Sequence, residues 1–391
     1  MKLNKIIVYI IFTILILGAL LPIASYFLMG ILIVLLIIFR QEKVIWNHLM
    51  QNKILFILAI SAVLSSLFSE LWYISIPFSI LYIMKILFSS IISCYIDEIH
   101  VNKIIMLLIS LGIIVSFVGI IQYFCSNGNM PNSWVDSSIY NINFRAYSTF
   151  FNPNILAVFL NLTILTGIVC IEANDKTPHK SLAFLCSVLS IICLLLTYSR
   201  NGWLSLCVSV IAISLFNKSY RKYAFVFPVI FIMFDFLGDT GRLLPKNLVA
   251  DSSIEYRIKI WTAAIKIITD NLILGIGPGT VWEQIPLYSS ELKAYISHVH
   301  NIYLQKLVDT GILGLFCFIW FIKYLWNNIK INVFINEDTS IIALGFFVAI
   351  LTNGLIDASS FQEQISIYVW TFIGISLASI KFSKTTDKSK V

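Results

Sequence analysis

The chain has 391 residues, 59% of them hydrophobic and only 12% charged, with a mean hydropathy of +0.89. A soluble domain carries about 25% charged residues, so this composition excludes an ordinary water-soluble fold and describes a polytopic membrane protein. The net charge of +7 does not point to nucleic acid, because the basic residues stand singly between apolar runs and membrane topology accounts for them.

A helix that crosses the bilayer needs about 20 apolar residues. The run from Ile6 to Phe39 is too long for one helix and is broken near Gly18 and Pro22. It is expected to form two retained spans rather than a cleaved signal. Further spans are expected at 54–69, 72–94, 104–124, 154–171, 181–198, 202–217, 223–237, 302–326, 340–356 and 364–380. The fold class is therefore all-α and polytopic, a single integral membrane domain over residues 1–391 with about twelve transmembrane helices. Six of the seven cysteines (Cys94, Cys125, Cys170, Cys186, Cys193, Cys207 and Cys317) lie in apolar runs as small hydrophobes, without C-x-x-C or zinc spacing.

Charge orients the bundle. With the N-terminus inside, most basic residues, among them Arg40, Lys43, Lys53, Lys103, Lys218, Arg221, Lys222 and the lysines of the C-terminal tail, fall on inner segments. Both termini are expected to be cytoplasmic. Two outer segments are longer than connectors. The first, 125–153, holds Asn127-Gly128-Asn129, Pro131, Trp134 and Tyr140, and runs into Arg145 and Asn152-Pro153-Asn154. The second, the large outer loop 238–300, is expected to carry an amphipathic helix capped by Ser252 or Ser253, with Glu255 in its first turn. Its apolar stripe is expected to be Ile254, Ile258, Trp261, Ile265, Ile268 and Leu272. Gly275-Ile276-Gly277-Pro278-Gly279 follows as a turn, since it lacks G-x-G-x-x-G spacing.

Candidate chemistry gathers on the outer side. His298 and His300 stand two residues apart where the large loop gives way to an apolar helix. Arg200 sits in a short outer turn, Arg145 ends the first loop, and Arg257 lies on the amphipathic helix. Arginine at membrane depth is costly unless it meets a wet cavity and a partner, and its fork suits phosphate oxygens. Each residue also has an ordinary reading. Arg200 can snorkel to the interface, Arg257 can pair with Glu255 or a headgroup, Arg145 can cap a carbonyl, and either histidine can be structural. The histidine pair lacks further ligands at metal spacing. Their shared side raises the odds of an anion-binding site with a histidine beside it, without metal or cofactor.

Over residues 140–320 the sequence resembles a known family. His300-Asn301, nine positions, then Gly311-Ile312-Leu313-Gly314 is similar to the O-antigen ligase motif. Tyr198-Ser199-Arg200-Asn201-Gly202 resembles its Ser-Arg-Gly signature, with Asn201 inserted before the glycine. Arg257 to Trp261, Gly277-Pro278-Gly279, and Arg145 with Asn152-Pro153-Asn154 resemble its remaining motifs. The resemblance is to the superfamily of O-antigen ligases and polysaccharide polymerases. It implies a multi-pass glycosyltransferase of the inner (cytoplasmic) membrane, with its active site on the outer face. A glycan would move en bloc from undecaprenyl diphosphate to an acceptor hydroxyl of a lipid A core, as in lipopolysaccharide biosynthesis, or of another surface glycan. His300 would be the general base, with His298 and Asn301 in support. Arg145, Arg200 and Arg257 would hold the diphosphate, and transfer would be inverting. A polymerase that joins lipid-linked repeats is the alternative. A transporter is less favoured: Lys85 is the best candidate mid-span charge, and the other polar charges gather on the outer face rather than at mid-depth.

Overall fold

In apolar surroundings each backbone N–H and C=O must find its partner within its own segment, so apolar runs fold as helices. The computed structural model describes residues 2–126, 139–173, 179–244, 247, 251–292, 296–335, 338–358 and 362–388. Among these, every regular element is helical and none is a strand. Residues Asn127-Gly128-Asn129, Pro131 and Trp134 of the expected first outer loop lie outside the described residues.

The helices are α1 (Lys2–Leu20), α2 (Pro22–Ile38), α3 (Glu42–Gln51), α4 (Lys53–Leu67), α5 (Trp72–Tyr95), α6 (Glu98–Cys125), α7 (Pro153–Glu172), α8 (Lys180–Leu196), α9 (Arg200–Phe216), α10 (Arg221–Leu237), α11 (Ser252–Asp270), α12 (Val281–Tyr288), α13 (Ile302–Ile335), α14 (Asp338–Asn353) and α15 (Glu363–Lys388). Each of the twelve expected stretches falls on a helix. Fewer of those helices have the length and composition of a span. Five do so, in α1, α5, α6, α7 and α13, and a sixth if α2 and α3, bent by 107° at their junction, are one broken span. Helices α4, α8, α9 and α14 are apolar but shorter. Two of the described helices had no sequence expectation, α12 and α3, and in α3 Glu42, Lys43, Asn47 and His48 interrupt the apolar positions.

The chain divides into two compact units. One comprises residues 1–98, 257–335 and 366–391. Within it α4 packs on α5 and α13, and α1 on α2 and α5. A core of Ile260, Ala263, Ala264, Ile267, Val281, Ile285, Ile296, Val299 and Val308 joins α11 and α12 to the start of α13. The other unit comprises residues 99–256 and 336–365. It is built around α7, which is buried almost without interruption from Leu156 to Val169. Helix α7 packs on α8, α9 and α14. Small residues set the approach of α6 to α8 and of α9 to α7. A Cβ on Gly112 or Gly119 would lie 2.6 Å from the Sγ of Cys186 or Cys193, and one on Gly202 would lie 2.6 Å from the Ala157 Cβ. Ser116, Ser190 and Thr163 share a buried hydroxyl cluster at 3.0–3.1 Å.

The amphipathic helix forms where expected, as α11, but with a different cap and a different buried face. Asp251 takes the capping position. Its Oδ1 accepts the N–H of Ser253 at 2.8 Å, and its carbonyl accepts the N–H of Glu255 at 3.2 Å. A charged acceptor one residue earlier outcompetes the serines for the free N–H groups. The buried face is Ile260, Ala263, Ala264 and Ile267, whereas Ile258, Ile265 and Leu272 are about half exposed. Trp261 and Ile268 pack at the edge of the core. The small side chains of Ala263 and Ala264 permit closer contact than the isoleucine stripe, which is left facing outward.

Candidate active site

The residues picked out in the sequence divide between the two units. His298, His300, Asn301 and Arg257 belong to the first, and Arg145 and Arg200 to the second.

In the first unit the histidine segment is held on both sides by hydrogen bonds between backbone groups and side chains. The His300 backbone is left-handed, with φ +51°, a conformation a non-glycine residue adopts only at a cost. On its N-terminal side Val299 is fully buried. The Val299 N–H donates to the Gln305 Oε1 at 2.8 Å, and its carbonyl accepts the Trp261 indole N–H at 2.9 Å. On the other side Asn301 caps α13, its Oδ1 accepting the N–H groups of Tyr303 and Leu304 at 2.9 and 3.0 Å. The two imidazoles, both part-exposed, lie with ring centroids 4.3 Å apart. Ser297 Oγ sits 2.8 Å from His298 Nδ1. Arg257, on α11 one turn before Trp261, is also part-exposed.

The glycines downstream have a backbone explanation. Helix α13 is interrupted at Gly311 (φ 63°, ψ −166°). The break frees carbonyls that the turn after α11 satisfies. The N–H groups of Ile276 and Gly277 donate to Val308 and Asp309 at 2.9 and 3.0 Å, and Ile312 N–H donates to Leu272 at 2.8 Å. The two strands of chain approach so closely that a Cβ on Gly311 would fall 2.2 Å from the Ile273 carbonyl oxygen. One on Gly275 would fall 2.4 Å from the Val308 oxygen. Gly275, Gly277 and Gly279 all have positive φ, which makes the segment the turn its sequence suggested.

In the second unit the arginines sit in a network of fixed acceptors. Ser199 caps α9, accepting the Gly202 N–H at 3.3 Å while its hydroxyl donates to Asn154 Oδ1 at 3.0 Å. Asn152 caps α7 in turn. The inserted Asn201 thus leaves the glycine at the third helical position, where its N–H meets the cap, and the Asn201 amide donates to the Asn353 carbonyl at 2.9 Å. Arg145, buried at 4% exposure, donates through Nε to the Thr197 carbonyl at 2.6 Å and through Nη2 to Asn154 Oδ1 at 2.9 Å. It shares the Asn154 oxygen with the Ser199 cap.

Arg200 reaches Asp251 at 2.5 Å and the Tyr140 hydroxyl at 2.9 Å. Tyr140 in turn donates to Asp251 Oδ2 at 2.7 Å. Arg242 lies over the Tyr140 ring, 4.6 Å from its centroid, and donates to the Tyr198 carbonyl at 3.0 Å. Burial, helped by the charge of Arg200, lowers Arg242 to about 10, still protonated at neutral pH. Burial disfavours the charged form of Asp251. Hydrogen bonds from Ser253 and Tyr140 and the charge of Arg200 outweigh it and hold the carboxyl well below the usual carboxylate range. Burial and the bond to Asp251 push the Tyr140 phenol up. Two guanidinium groups, Arg200 and Arg242, thus stand with the carboxylates of Asp251 and Asp235. Asp235 accepts the N–H groups of Arg242 and Leu243.

Sequence reasoning passed over Arg242, Asp251 and Tyr140 as site residues. Asp251 lies 51 positions from its partner Arg200, so no local spacing revealed it. Its position ahead of two serines and a helix was the one available signal.

Residues 185–319 match the family model described as O-Antigen ligase. This segment contains Arg200, Arg257, His298, His300, Asn301, Gly311 and Gly314, and leaves Arg145 outside. No curated protein matches the chain. Residues 185–319 of this helical membrane protein are thus similar to the O-antigen ligase family, over about a third of the chain.

Proposed function

From the similarity of residues 185–319 to the O-antigen ligase family, we propose that this protein transfers a glycan en bloc from undecaprenyl diphosphate to an acceptor hydroxyl at the outer face of the cytoplasmic membrane. The observation that carries the reading is His300, a part-exposed imidazole on a strained backbone inside the matched segment. A sugar hydroxyl is a poor nucleophile at neutral pH, and a neutral histidine can take its proton as it attacks. The acceptor oxygen bonds to the anomeric carbon, the bond to the diphosphate oxygen breaks, and undecaprenyl diphosphate leaves. A single in-line displacement inverts the anomeric configuration.

Arg145, Arg200 and Arg257 stabilise the charge on the leaving diphosphate, as fixed dipoles and cations do when aimed at developing charge. Arg200 keeps donors beyond the bond to Asp251, since a guanidinium carries five N–H groups. Arg242 adds a buried positive charge beside it. His298 and Asn301 support His300. The outward-facing isoleucines of α11 fit a rim that guides the isoprenoid tail. The bias of basic residues in the short connecting segments supports a cytoplasmic position for both termini.

The leading acceptor is a lipid A core or other surface glycan, which makes the protein a ligase. A second lipid-linked repeat as acceptor would make it a polymerase. The test incubates purified protein with labelled undecaprenyl-diphosphate-linked glycan and each acceptor in turn. A single capped product marks a ligase and a ladder marks a polymerase. Absence of transfer to any acceptor, with no undecaprenyl diphosphate released, overturns the reading.

A further inference from the structure

His300 occupies a left-handed backbone conformation that costs about 1–3 kcal/mol for a non-glycine residue and persists only where neighbours over-determine it. We infer that Gln305 and Asp309, buried in α13, are positioning residues that aim the His300 imidazole through the Val299 backbone. The inference rests on the reading of His300 as the general base and adds to it the device that holds that base.

The geometry is a short relay. Asp309 Oδ1 accepts the Gln305 Nε2–H at 2.8 Å. The Val299 backbone N–H can only donate, so the carbonyl end of the Gln305 amide faces it and the NH2 end faces Asp309. That carbonyl, Oε1, accepts the Val299 N–H at 2.8 Å. Val299 has little freedom left, because its own carbonyl is held by the Trp261 indole at 2.9 Å. The next residue is His300. Gln305 and Asp309 are 5% and 7% exposed, so water does not replace these bonds cheaply.

Asp309 is anchored independently of Gln305. Its carbonyl, freed by the break at Gly311, accepts the Gly277 N–H at 3.0 Å and the Ser65 hydroxyl at 2.5 Å. The positive charge of Lys306 lies within reach of its carboxylate. The glycine break and the histidine loop are therefore one assembly: the interruption of α13 fixes Asp309, Asp309 orients Gln305, and Gln305 holds the peptide ahead of His300. This gives a physical reason for a glycine so far along the chain from the base.

A positioning role moves kcat and leaves donor binding alone, since a catalytic group displaced by about 1 Å can lose about 10²-fold in rate. Gln305→Leu is expected to lower kcat about 10- to 100-fold with donor KM unchanged. Gln305→Glu alone sets two carboxylates face to face and is also slow. The double variant Gln305→Glu with Asp309→Asn reverses donor and acceptor between the two side chains and still offers an oxygen to Val299. It is expected to recover kcat to within a few-fold of the parent, about threefold on the scale of one altered hydrogen bond. A folded Gln305→Leu with full kcat overturns the inference. So does a double variant no faster than Gln305→Glu, and that comparison holds even if Gln305→Leu fails to fold. His300→Ala, assayed alongside, separates the two readings. Full activity there overturns the general-base assignment itself, whereas a dead His300→Ala beside an active, folded Gln305→Leu overturns only the positioning role.

Discussion

The unit that carries His300 holds its reactive side chain by fixing the peptide on either side of it. The unit that carries Arg200 instead engages its side chains directly. In the first, the bonds around the histidine run through Val299, Asn301 and the carbonyls released at Gly311. In the second, guanidinium groups meet Thr197, Asn154, Tyr140 and Asp251. The difference follows from what each group must do. A base has to turn a ring nitrogen toward its acceptor, and the bonds that fix the neighbouring peptides set that direction. A cation in apolar surroundings needs partners for its charge at all times, so part of its hydrogen-bonding capacity is already committed before any substrate arrives.

The sharpest break of this comparison is His300→Ala. Transfer should fall about 10²- to 10⁴-fold, the usual worth of a general base, with the fold retained, because the hydrogen bonds of Val299 and Asn301 are made without the His300 ring. A variant that melts earlier would show that the ring itself is structural. Next comes Arg200→Met, which should destabilise the protein by up to about 3 kcal/mol, because it leaves Asp251 buried without its counter-charge. Adding Asp251→Asn should restore much of the melting temperature while donor KM stays raised. If stability and donor KM recover together, Arg200 serves the fold alone.

Gly311→Ala tests the backbone half directly. A Cβ there meets the Ile273 carbonyl at 2.2 Å in a positive-φ position, so a loss of about 1–3 kcal/mol is expected in thermal unfolding. Gly30→Ala, whose Cβ would meet only Met84 at 3.7 Å, should be neutral or slightly stabilising by comparison. The smallest effect concerns acid. The Asp251 carboxyl is depressed in the folded protein, so its stabilisation is complete above the ordinary aspartate range. It is lost as pH falls through that range toward the lower folded value. Asp251→Asn should flatten the acid limb of stability against pH, and an unchanged limb would remove Asp251 as its source.

Much of the chemistry was legible in local sequence. His300, Asn301, Gly311 and Gly314 stand in order on one stretch, and the Ser199-Arg200-Asn201-Gly202 segment announces a helix cap followed by a close glycine contact. Other features were hidden for physical reasons. Helix α11 offers two apolar faces, and the one that packs is chosen by the small size of Ala263 and Ala264, which a count of isoleucines overlooks. Arg242 had no pattern to mark it, and Gln305 with Asp309 reads as an ordinary helical pair four residues apart.

Composition by itself determined that this is a helical membrane protein, because apolar runs in lipid must satisfy their own backbone bonds. Motif spacing determined which histidine and which arginines to follow. Only the tertiary structure decided what holds them. The partner of Arg200 comes from 51 residues away, and the support of His300 comes from a turn and a broken helix brought within hydrogen-bond distance by glycines. Such pairings depend on which segments the fold places side by side, and one-dimensional spacing carries no record of them.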